Sequence, residues 1–291
     1  MQPKQKKTVK LQMTANYLCS KVLTIVVVLS FLPELVAPAA GQTAALTLPE
    51  AKETVVFNSI GFGHSTARET YLSESTYSGY SFSFEYDSWM GISPEKLLGY
   101  GKQHSSFLFS PMKNPVGGGS TYEFMWDYSF SRAWNGVHTD VSDLLIGPAA
   151  MIKLGALYNQ MNSNNPVSAV ANLSLGVCVD YTFRFRIKNR NFALQAAACS
   201  HLMGVAFAPD YDQPYWYMLN YGQFGKAVHF AWLGNSFAMT GQAGIVCPVR
   251  GGRIKVECTF DSMQNKLGGN FRRLNDIQCT VGYIHRFELK E

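Results

Sequence analysis

The chain has 291 residues, a formal net charge of +5, 47% hydrophobic and 13% aromatic residues. Lys4, Lys6, Lys7, Lys10 and Lys21 all precede residue 42, so the remainder carries 20 basic and 19 acidic residues and gives no case for nucleic acid. Six cysteines without a CxxC spacing support neither a zinc centre nor a disulfide-dense scaffold.

Residues 1–41 read as a signal peptide. A lysine-rich start is followed by the eleven-residue apolar run Val22–Leu32, then by Pro33, Glu34 and the small residues Ala37, Ala39, Ala40 and Gly41. The run is too short for the ~20 residues of a spanning helix, and Cys19 lies before it, which argues against a lipoprotein anchor. Cleavage between Ala39 and Gln42 leaves residues 42–291 as one exported domain. No later stretch is apolar enough to span as a helix.

The exported part reads as a series of strands. The first, 53–65, alternates weakly. In 77–90, Tyr80, Phe82, Phe84 and Tyr86 oppose Ser81, Ser83, Glu85 and Asp87. A weaker strand at 100–110 precedes the Pro- and Gly-rich loop 111–120. Residues 121–134 repeat the aromatic alternation, with Tyr122, Phe124, Trp126, Tyr128 and Phe130 against Glu123, Asp127, Ser129 and Ser131. In 144–158, Pro148 suggests an edge position, a bulge or a late strand start. Residues 168–187 alternate with Val170 as the one apolar intruder on the polar parity: Leu173, Leu175, Val177, Val179, Tyr181, Phe183 and Phe185 on one parity, Ser174, Cys178, Asp180, Thr182, Arg184 and Arg186 on the other. That run far exceeds the usual strand of about five or six residues. Folding 192–208 back around Asn189 and Arg190 pairs Phe185 with Leu194, Arg184 with Gln195 and Phe183 with Ala196, like faces with like. Further strands are expected at 213–222, 226–233, 237–249, 253–262 and 276–289.

Long strands with one apolar and one charged face suit an all-β, transmembrane, antiparallel up-and-down β-barrel of about twelve strands, with ten as the alternative. Twelve strands with both ends in the periplasm put 66–76, 111–120, 159–167 and 263–275 outside, and 188–191, 223–225 and 250–252 inside. Tyr283, Phe287 and Leu289 near the C-terminus look like the signal read by barrel-assembly machinery, although the chain ends in Lys290-Glu291. The expected partners are outer-membrane lipids and the export and barrel-assembly machinery.

Thr70-Tyr71-Leu72-Ser73, Tyr77-Ser78-Gly79 and the Ile187-Lys188-Asn189-Arg190 turn give the chain its resemblance to a group of outer-membrane barrels from Bacteroidetes-type Gram-negative bacteria. The resemblance implies a fold and an outer-membrane location, and no assigned activity.

A site in such a barrel belongs in the lumen. Glu85, Asp87, Glu123, Asp127, Asp180, Arg184, Arg186, Lys255, Glu257, Asp261, Arg286 and Glu288 are expected to face it. Mixed signs on neighbouring strands favour an internal ion-pair network over a charge-selective channel. For a lipid-directed enzyme, the hairpin offers one nucleophile–base pair, Cys178 opposite His201, without an oxyanion donor. The same register sets Cys178 and Cys199 diagonally, a marginal distance for a disulfide. No cofactor or metal is implied. A soluble exported β-sandwich or lipocalin-like binder remains the other architecture, and it requires the aromatic faces to turn inward.

Overall fold

The computed structural model describes residues 47–288 except 118, 164, 189, 211, 212, 250 and 251, with the backbone alone at Leu219 and Glu288. The expected leader, residues 1–41, lies outside them.

Eleven strands follow one another: β1 (Glu53–Glu69), β2 (Ser73–Gly91), β3 (Tyr100–Lys113), β4 (Ser120–His138), β5 (Ser142–Asn159), β6 (Val167–Ile187), β7 (Arg190–Phe207), β8 (Val228–Trp232), β9 (Ser236–Val249), β10 (Gly252–Leu267) and β11 (Asn270–Glu288). Ten of them close an antiparallel ring in chain order, β7 pairing directly with β9, and β1 meets β11 from Glu53↔Glu288 to Glu69↔Arg272. Closure gives every stave a partner on both sides, the β7–β9 seam being laced from Ala193↔Val246 to Ser200↔Met239. β8 lies against the far half of β7 alone and adds no stave.

Ten strands are thus the alternative of the two counts. The expected strand 213–222 is a helix, α1 (Tyr215–Tyr221), followed by a 3₁₀ turn over Gln223–Ala227. Its aromatic residues are consecutive rather than alternating, Pro214 precedes its first turn, and Gly222 ends it at a left-handed φ of 64°. The expected strand 226–233 shrinks to β8. Two expected loops, 66–76 and 263–275, are largely strand: β1 and β2 meet at residues 70–72, and β10 turns into β11 at Gly268 and Gly269. Both glycines have positive φ, 57° and 72°, as a two-residue hairpin turn demands. Pro148 sits within β5, and the β4–β5 ladder has no pair between Ser131↔Ala149 and Trp134↔Ile146, where the missing N–H falls.

The β6–β7 hairpin is the expected one in another register. Phe183 meets Leu194, Arg184 meets Ala193 and Phe185 meets Phe192, two residues from the anticipated pairing. Lys188, at a φ of 45°, takes the turn, one residue earlier than Asn189 and Arg190 would place it. A slip of two preserves the parity of both faces, which is why the face assignment is unaffected.

The aromatic faces point out. Tyr80 is 66% exposed, Phe82 51% and Phe84 49%, and they continue around the wall through Phe62, Phe107, Phe109 and Phe124. Phe62 packs on Phe82 and Phe109 on Phe124, with ring centroids 5.3 and 4.8 Å apart. The sandwich or lipocalin alternative, which needs those faces inside, does not describe this molecule. Inside, an apolar cluster including Tyr71, Tyr77, Met112, Met125, Leu157, Met263 and Leu274 fills the end away from the termini. A smaller one (Val55, Phe57, Ala193, Val246 and Ile284) lies toward the terminal end.

Candidate functional site in the lumen

Between the two apolar clusters the inward parity of the strands delivers charge. Lys153 on β5 places its Nζ 2.8 Å from Asp127 Oδ1 on β4 and 2.9 Å from Asp261 Oδ1 on β10. In a ring of ten, β4 and β10 stand five staves apart, so this ion triad spans the bore. Thr240 Oγ1 donates to the second Asp261 oxygen at 2.9 Å, and Ser65 Oγ donates to Asp276 nearby. Glu123 is fully buried beside them, with neither carboxylate oxygen hydrogen-bonded.

Toward the termini, His104 Nδ1 lies 2.8 Å from Asp87 Oδ1, and Lys102 pairs with Asp180 on β6. Lys255 pairs with Glu257, its ammonium standing 4.7 Å from the Phe57 ring centroid and 5.5 Å from that of Trp89. Thr259 Oγ1 donates to Glu85 across the bore at 3.3 Å. At the far end, Arg272 pairs with Glu69 and donates to Ser168 Oγ at 2.8 Å and to the Ala169 carbonyl at 3.0 Å. At the terminal rim, Arg184 pairs with Asp143, and Arg286 pairs with Glu53 and donates to Thr47 and Leu48. The segment around Leu48 and Pro49 thereby lines the last cavity at that end.

Of the residues expected in the lumen, Glu85, Asp87, Glu123, Lys255 and Glu257 are buried. Asp127, Asp180, Arg184, Asp261 and Arg286 are half-buried in the ion pairs just described. Arg186 is exposed, because β6 ends one residue later at the rim. The Glu288 side chain lies outside the described residues. Lys102, His104 and Lys153 went unnamed because β3 and β5 alternate weakly in sequence. Glu69, Arg272 and Asp276 were missed differently: the first two fall where loops were expected, and Asp276 was placed on the inward parity of its strand but not singled out.

The Cys178–His201 pair does not form. Cys178 faces Cys199 with Cα atoms 4.1 Å apart, and the two are joined in a disulfide, so the thiol is spent. His201 stands opposite Gly176. Ser129 is the cross-strand neighbour of His104, yet among the described residues no hydrogen bond links them, so no Ser–His–Asp relay is assembled either. Among the described residues no group of three or more His, Cys, Asp or Glu is arranged to hold a metal ion. Among the described residues the lumen holds cavities of about 70, 50 and 40 Å³ separated by bonded side chains.

A family model described as "Protein of unknown function (DUF3316)" matches residues 23–289. None of the curated proteins matches the chain. Among solved structures the chain is similar to the outer membrane protease OmpT from Escherichia coli, at 7% identity and a TM-score of 0.51, over 83% of this chain and 99% of that one. It is also similar to the translocator domain of the autotransporter NalP from Neisseria meningitidis, at 8% identity and a TM-score of 0.36, over 83% and 91% of the two chains. At such identity the first likeness shows the barrel fold alone.

Proposed function

The chain belongs to the DUF3316 family, and we propose that it is an outer-membrane β-barrel protein whose lumen is shut to free diffusion, a structural wall element rather than an open small-solute channel. The outward aromatic belt supports the membrane half of this reading. A closed ring with exposed Phe, Tyr and Leu on every other residue leaves apolar surface that hydrocarbon would cover. With both strand ends in the periplasm, the end bearing residues 70–72 and α1 faces the exterior. The same reading takes residues 1–41 as the leader for export in a Gram-negative, Bacteroidetes-type cell, and Tyr283, Phe287 and Leu289 as the cue for the assembly machinery.

The observation that carries the closed lumen is the Lys153 bridge from Asp127 to Asp261 across the bore. A solute would have to part it and then pass the apolar cluster around Met125 and Leu157. The purified protein in a planar bilayer should show heat-modifiable migration and no discrete conductance steps. Stable channel openings would overturn the closed-lumen reading, and recovery of the chain as a soluble periplasmic protein would overturn the membrane reading.

A further inference from the structure

The ring is incompletely laced at one place. The β7–β9 ladder runs from Ala193↔Val246 to Ser200↔Met239, and the β7–β8 ladder resumes only at Met203↔Trp232. His201 and Leu202 pair with neither strand. Opposite them the chain spends residues 233–238, of which Ser236–Ala238 pair with β10 alone. The other edge of β7 shifts register at the same height, between Leu175 and Gly176. The wall therefore has a break between His201–Leu202 on one side and residues 233–238 on the other.

Behind the break lies the lumen cavity of about 70 Å³. Its lining joins inward residues (His201, Asn172, Thr240) to Ala198, Val205 and Met239, which belong to the outward parity of their strands. Two polar atoms on this lining have no hydrogen-bond partner among the described residues: His201 Nε2, on a side chain 5% exposed, and Asn172 Oδ1. A buried polar group without a partner costs free energy that a ligand can restore. Outside, the wall just below the break is shallow: Ala196 faces Ala243 and Ala198 faces Gly241 across β7 and β9. An added Cβ on Gly241 would meet nothing within 4 Å.

We infer that this break is a lateral binding site for a single-chain amphiphile of the fatty-acid class, taken from the surrounding membrane. The head enters the cavity, which has the volume of about two waters, as the neutral acid, its O–H donating to His201 Nε2. The tail stays outside, along the Ala196–Ala198–Gly241–Ala243 groove, continuous with the apolar wall. The tail lies in hydrocarbon before and after binding, so the preference for this spot over the rest of the wall comes from the head, bonded to a buried atom that otherwise has no partner among the described residues. The site rests on the proposal that the outward face meets lipid.

The test reconstitutes the full mature chain into phosphatidylcholine vesicles with palmitic acid bearing a diazirine near its carboxyl end, followed by irradiation and peptide mapping. Label should concentrate on residues 196–205 and 231–241 and saturate at one per barrel. It should fall about tenfold, the effect of one decade in affinity, in His201→Phe, which fills the cavity, and in Ala198→Trp, which blocks the groove. Phe82→Trp, on the outward face of β2 five staves from β7, should leave it unchanged. Label spread evenly over outward residues of all strands overturns the site while leaving the membrane reading intact, as does focused label that neither variant reduces. A chain that does not enter the vesicles fails at the earlier step instead. If His201→Phe does not fold, as heat-modifiable migration would report, Ala198→Trp decides.

Discussion

Lys153 sits between carboxylates from opposite sides of the ring, with Glu123 and Asp276 close behind them. Removing a buried cation from such a set leaves carboxylates facing one another without compensation, which costs about 3–5 kcal/mol. Lys153→Met should therefore lower the urea midpoint of the folded barrel sharply, and adding Asp127→Asn and Asp261→Asn should recover most of the loss. A single variant as stable as the parent, measured by heat-modifiable migration along a urea series, would show that the triad carries no such load. The carboxylate ends of this triad were legible from parity, since Asp127 and Asp261 lie on clean alternating strands. Its centre was not: Lys153 lies in a segment where Leu144-Leu145-Ile146 and Ala149-Ala150-Met151-Ile152 blur the period of two. Cys178 and Cys199 show another limit, because a two-residue change in hairpin register converts a diagonal pair into a bonded one.

At the scale of elements, α1 is where sequence periodicity misled, and it has a definite task. Its first residue, Tyr215, reaches away from its own helix, its hydroxyl oxygen accepting a 2.7 Å hydrogen bond from the Ala169 N–H. It also packs edge-on against Tyr71 at 5.7 Å. Tyr71 in turn donates to the Gln213 carbonyl at 2.9 Å, and Asn270 donates to that of Pro209 at 2.7 Å. These contacts tie the long connection between β7 and β8 to the turns 70–72 and 268–269 and seat it on the apolar cluster below. Burial, followed by the neighbouring Tyr215 and Glu69, pushes the Tyr71 hydroxyl well above its ordinary value of 10, and burial raises Tyr215 as well. A group held neutral in the folded state contributes stability that is complete below its unfolded pKa near 10 and is lost as pH rises beyond it. Hydrogen exchange of residues 213–222 should thus quicken above about pH 10. Tyr71→Phe should quicken it already at neutral pH, by the loss of a hydrogen bond worth about 1 kcal/mol. It should also flatten the alkaline rise. An alkaline rise of the same size in Tyr71→Phe would remove Tyr71 from the explanation.

At the scale of the whole molecule, the period-two patterning of β2, β4, β6, β10 and β11 was enough to assign a closed barrel, because a strand greasy on one face and charged on the other has few homes. What patterning left open was which side each face takes, since aromatic alternation also suits a soluble sandwich core. The geometry resolves this through position, with Phe84 half exposed and its strand neighbour Glu85 3% exposed. That contrast yields a test in which one strand serves as its own control. Phe84 lies mid-strand on β2, paired with Ile60 on β1 and Phe107 on β3, all three on the outward face. If that face meets hydrocarbon, Phe84→Arg puts an unpaired charge near the bilayer midplane at a cost of about 2–4 kcal/mol, and folding into vesicles should fall accordingly. Its neighbour Ser83 faces the polar interior beside Gln278, so Ser83→Asn keeps the side chain among hydrogen-bonding groups and should fold far more readily than the arginine variant. In a soluble molecule the ranking would reverse, since an exposed arginine is nearly neutral while enlarging a buried serine forces its neighbours aside. The order of the two variants in a vesicle-folding assay therefore reports what solvent the wall of this barrel was built for.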